Sequence, residues 1–207
     1  MKVTVIGSGN MGSALAKQFA NARHSLVITG RNSAKAKDLA QTLGATYRAM
    51  DAAQGADVVV LATPYNEAVP ALRSAGSLQG KTVVDITNPL TSDFMGLTIG
   101  HSTSAAEQIQ KAFPEAKIIK AFNTVFAQVL AQGARLHEAT VPVFFAADDA
   151  SAKETVKALI QSIGFLPLDA GPLKNARYLE PLAALNIYLG YGAGHGTSIA
   201  PSWIGID

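Results

Sequence analysis

Cysteine is absent from all 207 residues, which excludes disulfides, thiolate nucleophiles and sulfur-ligated metal. Charge is also sparse: Asp, Glu, Lys and Arg make up 15% of the chain, and the net charge is +2. There is no dense lysine–arginine stripe to track a phosphate backbone, so a nucleic-acid partner is not expected. No apolar run approaches the length of a membrane span. The opening "MKVTVIGSGN" lacks the basic, apolar and cleavage regions of a secretion signal in their order. Neither a membrane nor export is expected, and the cytoplasm is the default.

Acid–base machinery is thin as well. Of the four histidines, His24 and His137 lie away from the strand exits described below. His101 and His195 could approach a site, yet neither has an evident Asp or Glu to orient it. His195, in the glycine loop "GAGHGTS", is the one candidate for a catalytic role, as a proton donor or as part of a mobile lid. There is no H-E-x-x-H and the carboxylates are scattered, so no metal site is expected. "GSGNMG" is not a nucleophile elbow, because the surroundings of its serine are wrong.

What is present is a rhythm of short β-branched runs and longer alanine-rich segments. Strands are expected at 2–6, 25–29, 57–63, 81–87, 116–122 and 141–147, with shorter ones near 46–48 and 165–171. Helices are expected at 11–22, 32–43, 66–75, 102–113, 124–131, 151–164 and from 173 to about 190, the last kinked by Pro181. "DVVVLAT" is continuously apolar, as a strand buried on both faces should be. Strands separated by helix-length crossovers predict an α/β fold with a Rossmann-like, doubly wound, mostly parallel sheet. Residues 1–123 read as the dinucleotide-binding domain. Residues 124–207 read as a small C-terminal α/β extension ending in a helix, which shapes an acceptor site and a dimer contact.

The first loop carries the main functional signal. In "VTVIGSGNMG", Gly7, Gly9 and Gly12 form G-x-G-x-x-G between a strand and a helix. Gly7 permits the tight turn, Gly9 lets a pyrophosphate approach the backbone, and Gly12 lets the helix close on the strand. The helix start, with Ser8, Asn10 and Met11, offers N–H groups to phosphate. A dinucleotide is expected here.

The end of the second strand then lacks the acidic residue of an NAD site. It reads Thr29-Gly30-Arg31. Arg31 offers a planar fork of donors suited to phosphate, and Lys35 lies one helical turn on. Thr29, Asn32 and Ser33 complete this edge, with hydroxyl donors at Thr29 and Ser33. The pattern predicts NADP(H). The nicotinamide end is expected at the later strand exits: Ala62, Thr63 and Pro64 in "ATPY", Asn88 and Pro89 in "TNPL", and Ala121 and Asn123 in "AFNT". Asn123 could equally cap the following helix.

The stretches "VIGSGNMG", "GRNSAK", "IKAFNT" and above all "AGPLKNARYLEPLAAL" (170–185) resemble the NADP oxidoreductase, coenzyme F420-dependent family, including bacterial relatives of unassigned substrate. The resemblance covers nearly the whole chain, and its last two stretches are the specific ones. It implies hydride transfer between NADPH and a deazaflavin, with Ser8, Arg31 and Lys35 matching positions that hold NADP. The family often has serine before that arginine, where this chain has Gly30. A related domain occurs in membrane ferric reductases, where NADPH reduces a flavin. NADP(H) is therefore better founded than the acceptor, for which F420, FMN and FAD all stand. The resemblance also implies a homodimer. Two rivals remain. One is a dehydrogenase of small carbonyl or imine substrates, although Lys120 lies inside a strand pattern rather than on an interdomain helix. The other is an NADP-binding sensor that turns nothing over.

Overall fold

The computed structural model describes residues 1–205. An eight-stranded sheet runs through the molecule. Its strands are β1 (Lys2–Ile6), β2 (Ser25–Thr29), β3 (Thr46–Tyr47), β4 (Val58–Leu61), β5 (Thr82–Asp85), β6 (Lys117–Ala121), β9 (Pro142–Ala147) and β10 (Leu166–Asp169). A separate hairpin pairs β7 (Arg135–Leu136) with β8 (Ala139–Thr140). The helices are α1 (Asn10–Asn21), α2 (Ser33–Thr42), α3 (Ala68–Ser74), α4 (Ala105–Ala112), α5 (Ala127–Gln132), α6 (Ala150–Ser162) and α7 (Ala176–Ile187). None is long and apolar enough to cross a membrane.

The strand order is β10-β9-β6-β5-β4-β1-β2-β3. The order reverses between β1 and β4, which opens a crevice at the carboxyl ends of the strands. Strands β1 to β6 pair in parallel, and the expected doubly wound sheet is the one observed. The extension beyond residue 123 adds β9 and β10 to the same sheet. β9 runs antiparallel to β6, which the alternating pattern did not reveal. Pro142 opens β9, whereas pairing to β6 spans only Phe145–Ala147, so its missing N–H breaks no bond of that ladder.

Both faces are covered, which explains the continuous apolar runs. Val3, Val5, Val58, Val60, Val84 and Ile119 face α1, α2, α5 and α6. Val59, Leu61, Val83 and Ile118 face α3, α4 and the start of α7. Leu15 and Phe19 of α1 are wholly buried, each worth about 1.5–3 kcal/mol. Met11, from the same expected stripe, is only half-buried.

The last helix departs most from its pattern. It begins as a tight turn at Leu173–Asn175, contains Pro181, and ends in a wider turn at Tyr188–Gly192. Its buried face is Ala176, Leu179, Glu180, Ala183 and Asn186. Leu185 and Leu189 point outward with Tyr178 and Tyr188.

Candidate active site

The glycine loop shows which of its glycines the fold itself requires. Gly7 has φ +117°, and a Cβ there would lie 2.2 Å from the Ala62 carbonyl oxygen. A Cβ on Gly12 would lie 1.9 Å from the Gly7 carbonyl oxygen. Gly9 differs. Its φ is −75°, and a Cβ would meet no atom within 4 Å. No contact of a Cβ demands glycine at position 9, which stands at the start of α1, where first-turn N–H groups have no helical partner. Ser8 is buried beneath this loop. The residues present fit a pyrophosphate.

At the adenosine end, Arg31 is exposed and its guanidinium meets Glu67 at 2.8 Å. Glu67 lies on the turn after β4, and sequence reasoning overlooked it. Such an exposed pair is weak and can yield to a phosphate. Lys35 is also exposed, and no side-chain partner engages it among the described residues. Asn32 caps α2, its Oδ1 accepting the Lys35 N–H at 3.0 Å. Ser33 is exposed, while Thr29 is buried and its carbonyl takes the Gly7 N–H. A serine would fit at position 30, because a Cβ there meets Ser8 Oγ at an ordinary 3.6 Å.

A cavity of about 510 Å³ adjoins the glycine loop. Asn10 and Met11 form one edge, and Ile86, Asn88, Asn123 and Thr124 form the floor at the strand exits. Phe94 and Met95 of the loop after β5, with Tyr191 beyond α7, supply exposed apolar surface. Phe126 meets Tyr191 edge to face at 5.7 Å. Asp93 and Tyr191 are the titratable residues lining this cavity. Hydrogen bonds from the Thr91 hydroxyl and then the Met95 N–H hold Asp93 below the usual carboxylate range.

Asn88 and Asn123 grip one another. Asn123 Nδ2 donates to Asn88 Oδ1 and to the Leu179 carbonyl, both at 3.0 Å, and Asn88 Nδ2 donates to the Asn123 carbonyl at 2.9 Å. This fixes the amide orientation and leaves Asn123 Oδ1 buried without a donor. The hydroxyls of Thr63 and Thr124 are likewise buried and unpartnered. A bound carboxamide or ring N–H would supply what Asn123 lacks. Asn123 therefore does not cap α5, whose N-cap is Phe126. Pro64 is exposed, Ala62 packs against Gly7 and Gly12, and Pro89 and Ala121 are buried and add nothing to the cavity wall.

His195 is exposed and does not line the cavity. His101 lines a separate depression with Lys174, Arg177 and Tyr178.

Three charged residues to which sequence reasoning gave no role adjoin the segments that build the cavity wall. Lys120 is wholly buried, and its ammonium makes three contacts: Asp85 Oδ2 at 2.7 Å, Glu180 Oε1 at 2.8 Å and the Thr87 carbonyl at 2.6 Å. Asp85 Oδ1 also accepts the Thr87 N–H at 2.8 Å. Glu180 takes the Ala105 and Ala106 N–H groups at the start of α4, at 2.9 and 3.3 Å. The two carboxylates hold the Lys120 pKa above its ordinary value despite the opposing cost of burial. A legible signal existed: lone charges inside "KTVVDIT" and "KIIKAF", on strands buried on both faces, must be paired.

Three comparisons bear on this site. The family profile described as NADP oxidoreductase, coenzyme F420-dependent, matches residues 2–89. The F420-dependent NADP reductase of Methanothermobacter thermautotrophicus is 31% identical over 91% of this chain and 89% of its own. The rat metalloreductase STEAP3 is 31% identical over 87% of this chain, but the chain spans only 36% of that protein's length. Among solved structures, an Arthrobacter sp. FB24 protein named for the F420-dependent NADP reductases is 32% identical over 98% of this chain and 99% of its own, with a TM-score of 0.89.

Proposed function

The chain belongs to the NADP oxidoreductase, coenzyme F420-dependent family, and from that premise we propose an NADPH-dependent oxidoreductase that passes a hydride between NADP(H) and a flavin- or deazaflavin-like ring. The observation that carries the choice of acceptor is the cavity. It adjoins the glycine loop, is walled largely by apolar side chains, and contains no histidine, lysine or arginine. Its titratable residues are Asp93, whose hydrogen bonds from Thr91 and Met95 favour the ionised form, and Tyr191, which packs edge to face on Phe126. Reduction of a carbonyl needs a placed acid, whereas a redox ring that accepts a hydride directly needs mainly positioning.

When bound, NADPH supplies the hydride. The first turn of α1 and Gly9 receive its pyrophosphate, and Arg31 and Lys35 hold the 2′-phosphate. The locked amide of Asn123 accepts a ligand N–H. Phe94, Met95 and Tyr191 clasp a flat ring and exclude water from its face.

The deciding experiment is a single-turnover screen of NADPH oxidation with FMN, FAD, riboflavin, F420 and quinones. Ring reduction with a primary isotope effect from C4-deuterated NADPH is expected. His195→Ala should mainly raise the KM for the acceptor, far from the ~10²–10⁴-fold loss of an essential proton donor. No ring reduction, together with His195-dependent reduction of a small ketone or imine, would overturn the assignment. Binding without turnover of any acceptor would leave a sensor.

Two further expectations attach to this reading. Arg31→Ala should weaken NADPH about tenfold to hundredfold, the scale of a charge-assisted hydrogen bond, and leave NADH nearly unchanged in calorimetric titration. Equal losses would remove Arg31 from the 2′-phosphate. Tyr178, Leu185, Tyr188 and Leu189 present an exposed apolar face on and just beyond α7, suited to a homodimer. Sedimentation at micromolar concentration should show twice 21.5 kDa, and a lone 21.5 kDa species would speak against it.

A further inference from the structure

The buried trio of Asp85, Lys120 and Glu180 does more than hold loops together. We propose that it sets a net negative charge beneath the nicotinamide end of the site, and so favours the oxidised, cationic cofactor over the reduced, neutral one. The inference rests on the nucleotide assignment above.

The charge follows from the contacts of the three groups. Lys120 donates a hydrogen bond to the Thr87 carbonyl, and its ammonium forms ion pairs with Asp85 Oδ2 at 2.7 Å and Glu180 Oε1 at 2.8 Å. Asp85 Oδ1 takes the Thr87 N–H, while Oδ2 has the charge of the ammonium beside it but no hydrogen bond. Glu180 Oε1 takes the ammonium and the Ala106 N–H, and Oε2 the Ala105 N–H. A proton on either carboxyl would face a donor instead of an acceptor. One cation against two anions leaves a single negative charge in a region closed to water. Tyr65, on the turn after β4, senses this balance. Burial first, then Glu180 and Asp85, raise its phenol above the ordinary range, and Lys120 offsets them only in part.

The placement is equally defined. Thr87, bonded to both Lys120 and Asp85, directly precedes Asn88 of the cavity wall. Glu180 directly follows Leu179, whose carbonyl anchors Asn123 of that wall. Across a separation of roughly 10 Å, one charge at an effective dielectric of about 20 changes relative affinity by roughly tenfold. NADP+ and NADPH share every phosphate, so comparing their affinities isolates the ring. Asp93 also faces the cavity, but it is exposed and salt screens it.

The test is calorimetric titration of NADP+ and NADPH at ~0.5 M salt, where surface charges are screened. The unmodified protein should bind NADP+ at least as tightly as NADPH. Asp85→Asn and Glu180→Gln should each weaken NADP+ about tenfold and leave NADPH within about twofold. Equal changes for the two cofactors, or none, in either folded variant would overturn the inference. So would a tenfold preference of the unmodified protein for NADPH, a measurement that decides the matter even if both variants misfold. Failure of the unmodified protein to bind either cofactor would remove the nucleotide assignment itself.

Discussion

Replacing Lys120 with methionine is expected to lower the free energy of unfolding by about 3–5 kcal/mol, a large share of the stability of a domain this size. Methionine has nearly the length of lysine, so little packing is lost. The cost comes from Asp85 and Glu180, which remain buried, close to one another and without their shared cation. The Thr87 carbonyl loses its donor as well. Urea titration at neutral pH measures the loss directly, and a fall in Tm of roughly 6–20 °C should accompany it. The double variant Lys120→Met/Glu180→Gln should recover part of the stability, because removing one carboxylate relieves the repulsion that the first change created. A single variant within about 1 kcal/mol of the unmodified protein would mean that the trio is not ionised as drawn.

Replacing Gly9 with valine should act in the opposite sense, sparing the fold and abolishing NADP(H) binding. The backbone at Gly9 is open to any residue, and a Cβ there would meet no protein atom within 4 Å. Stability should therefore stay within about 1 kcal/mol. A branched side chain over the first turn of α1 would occupy the place of the pyrophosphate, and affinity should fall by more than about a hundredfold. Alanine at Gly7 or Gly12 provides the contrast. Each Cβ would press into backbone carbonyl oxygen, so those variants should lose stability first. Normal NADPH binding by Gly9→Val would show that the nucleotide lies elsewhere.

These two sites differ in how far the sequence disclosed them. The glycine loop is local: strand, turn and helix start lie within twelve residues, and each glycine has a separable steric reason. The missing carboxylate after β2 and the cations Arg31 and Lys35 are equally local. The central strands announced themselves because burial on both faces favours continuous apolar runs, and the α1 stripe because one helix face must be apolar. By itself, then, the sequence determined the doubly wound sheet, the nucleotide loop and the expectation of NADP(H).

Tertiary structure decided the rest. Lys120 looked like an ordinary strand residue until folding brought Asp85 and Glu180 to it from other segments. Glu67 became the partner of Arg31 only when the turn after β4 packed beside the end of β2. The leucines at 179, 182, 185 and 189 recur at three- and four-residue intervals, yet the fold buries Leu179, Ala183 and Asn186 and leaves Leu185 and Leu189 outside, because the angle at which the helix docks selects the face. His195, prominent in sequence as a lone polar residue in a glycine loop, lies off the cavity, while Phe94, Met95 and Tyr191 enclose it. Periodicity and turn chemistry act over a few residues, so they can be read along the chain. Charge pairing, cavity walls and helix orientation depend on groups far apart in sequence, and only the packed fold fixes which of them meet.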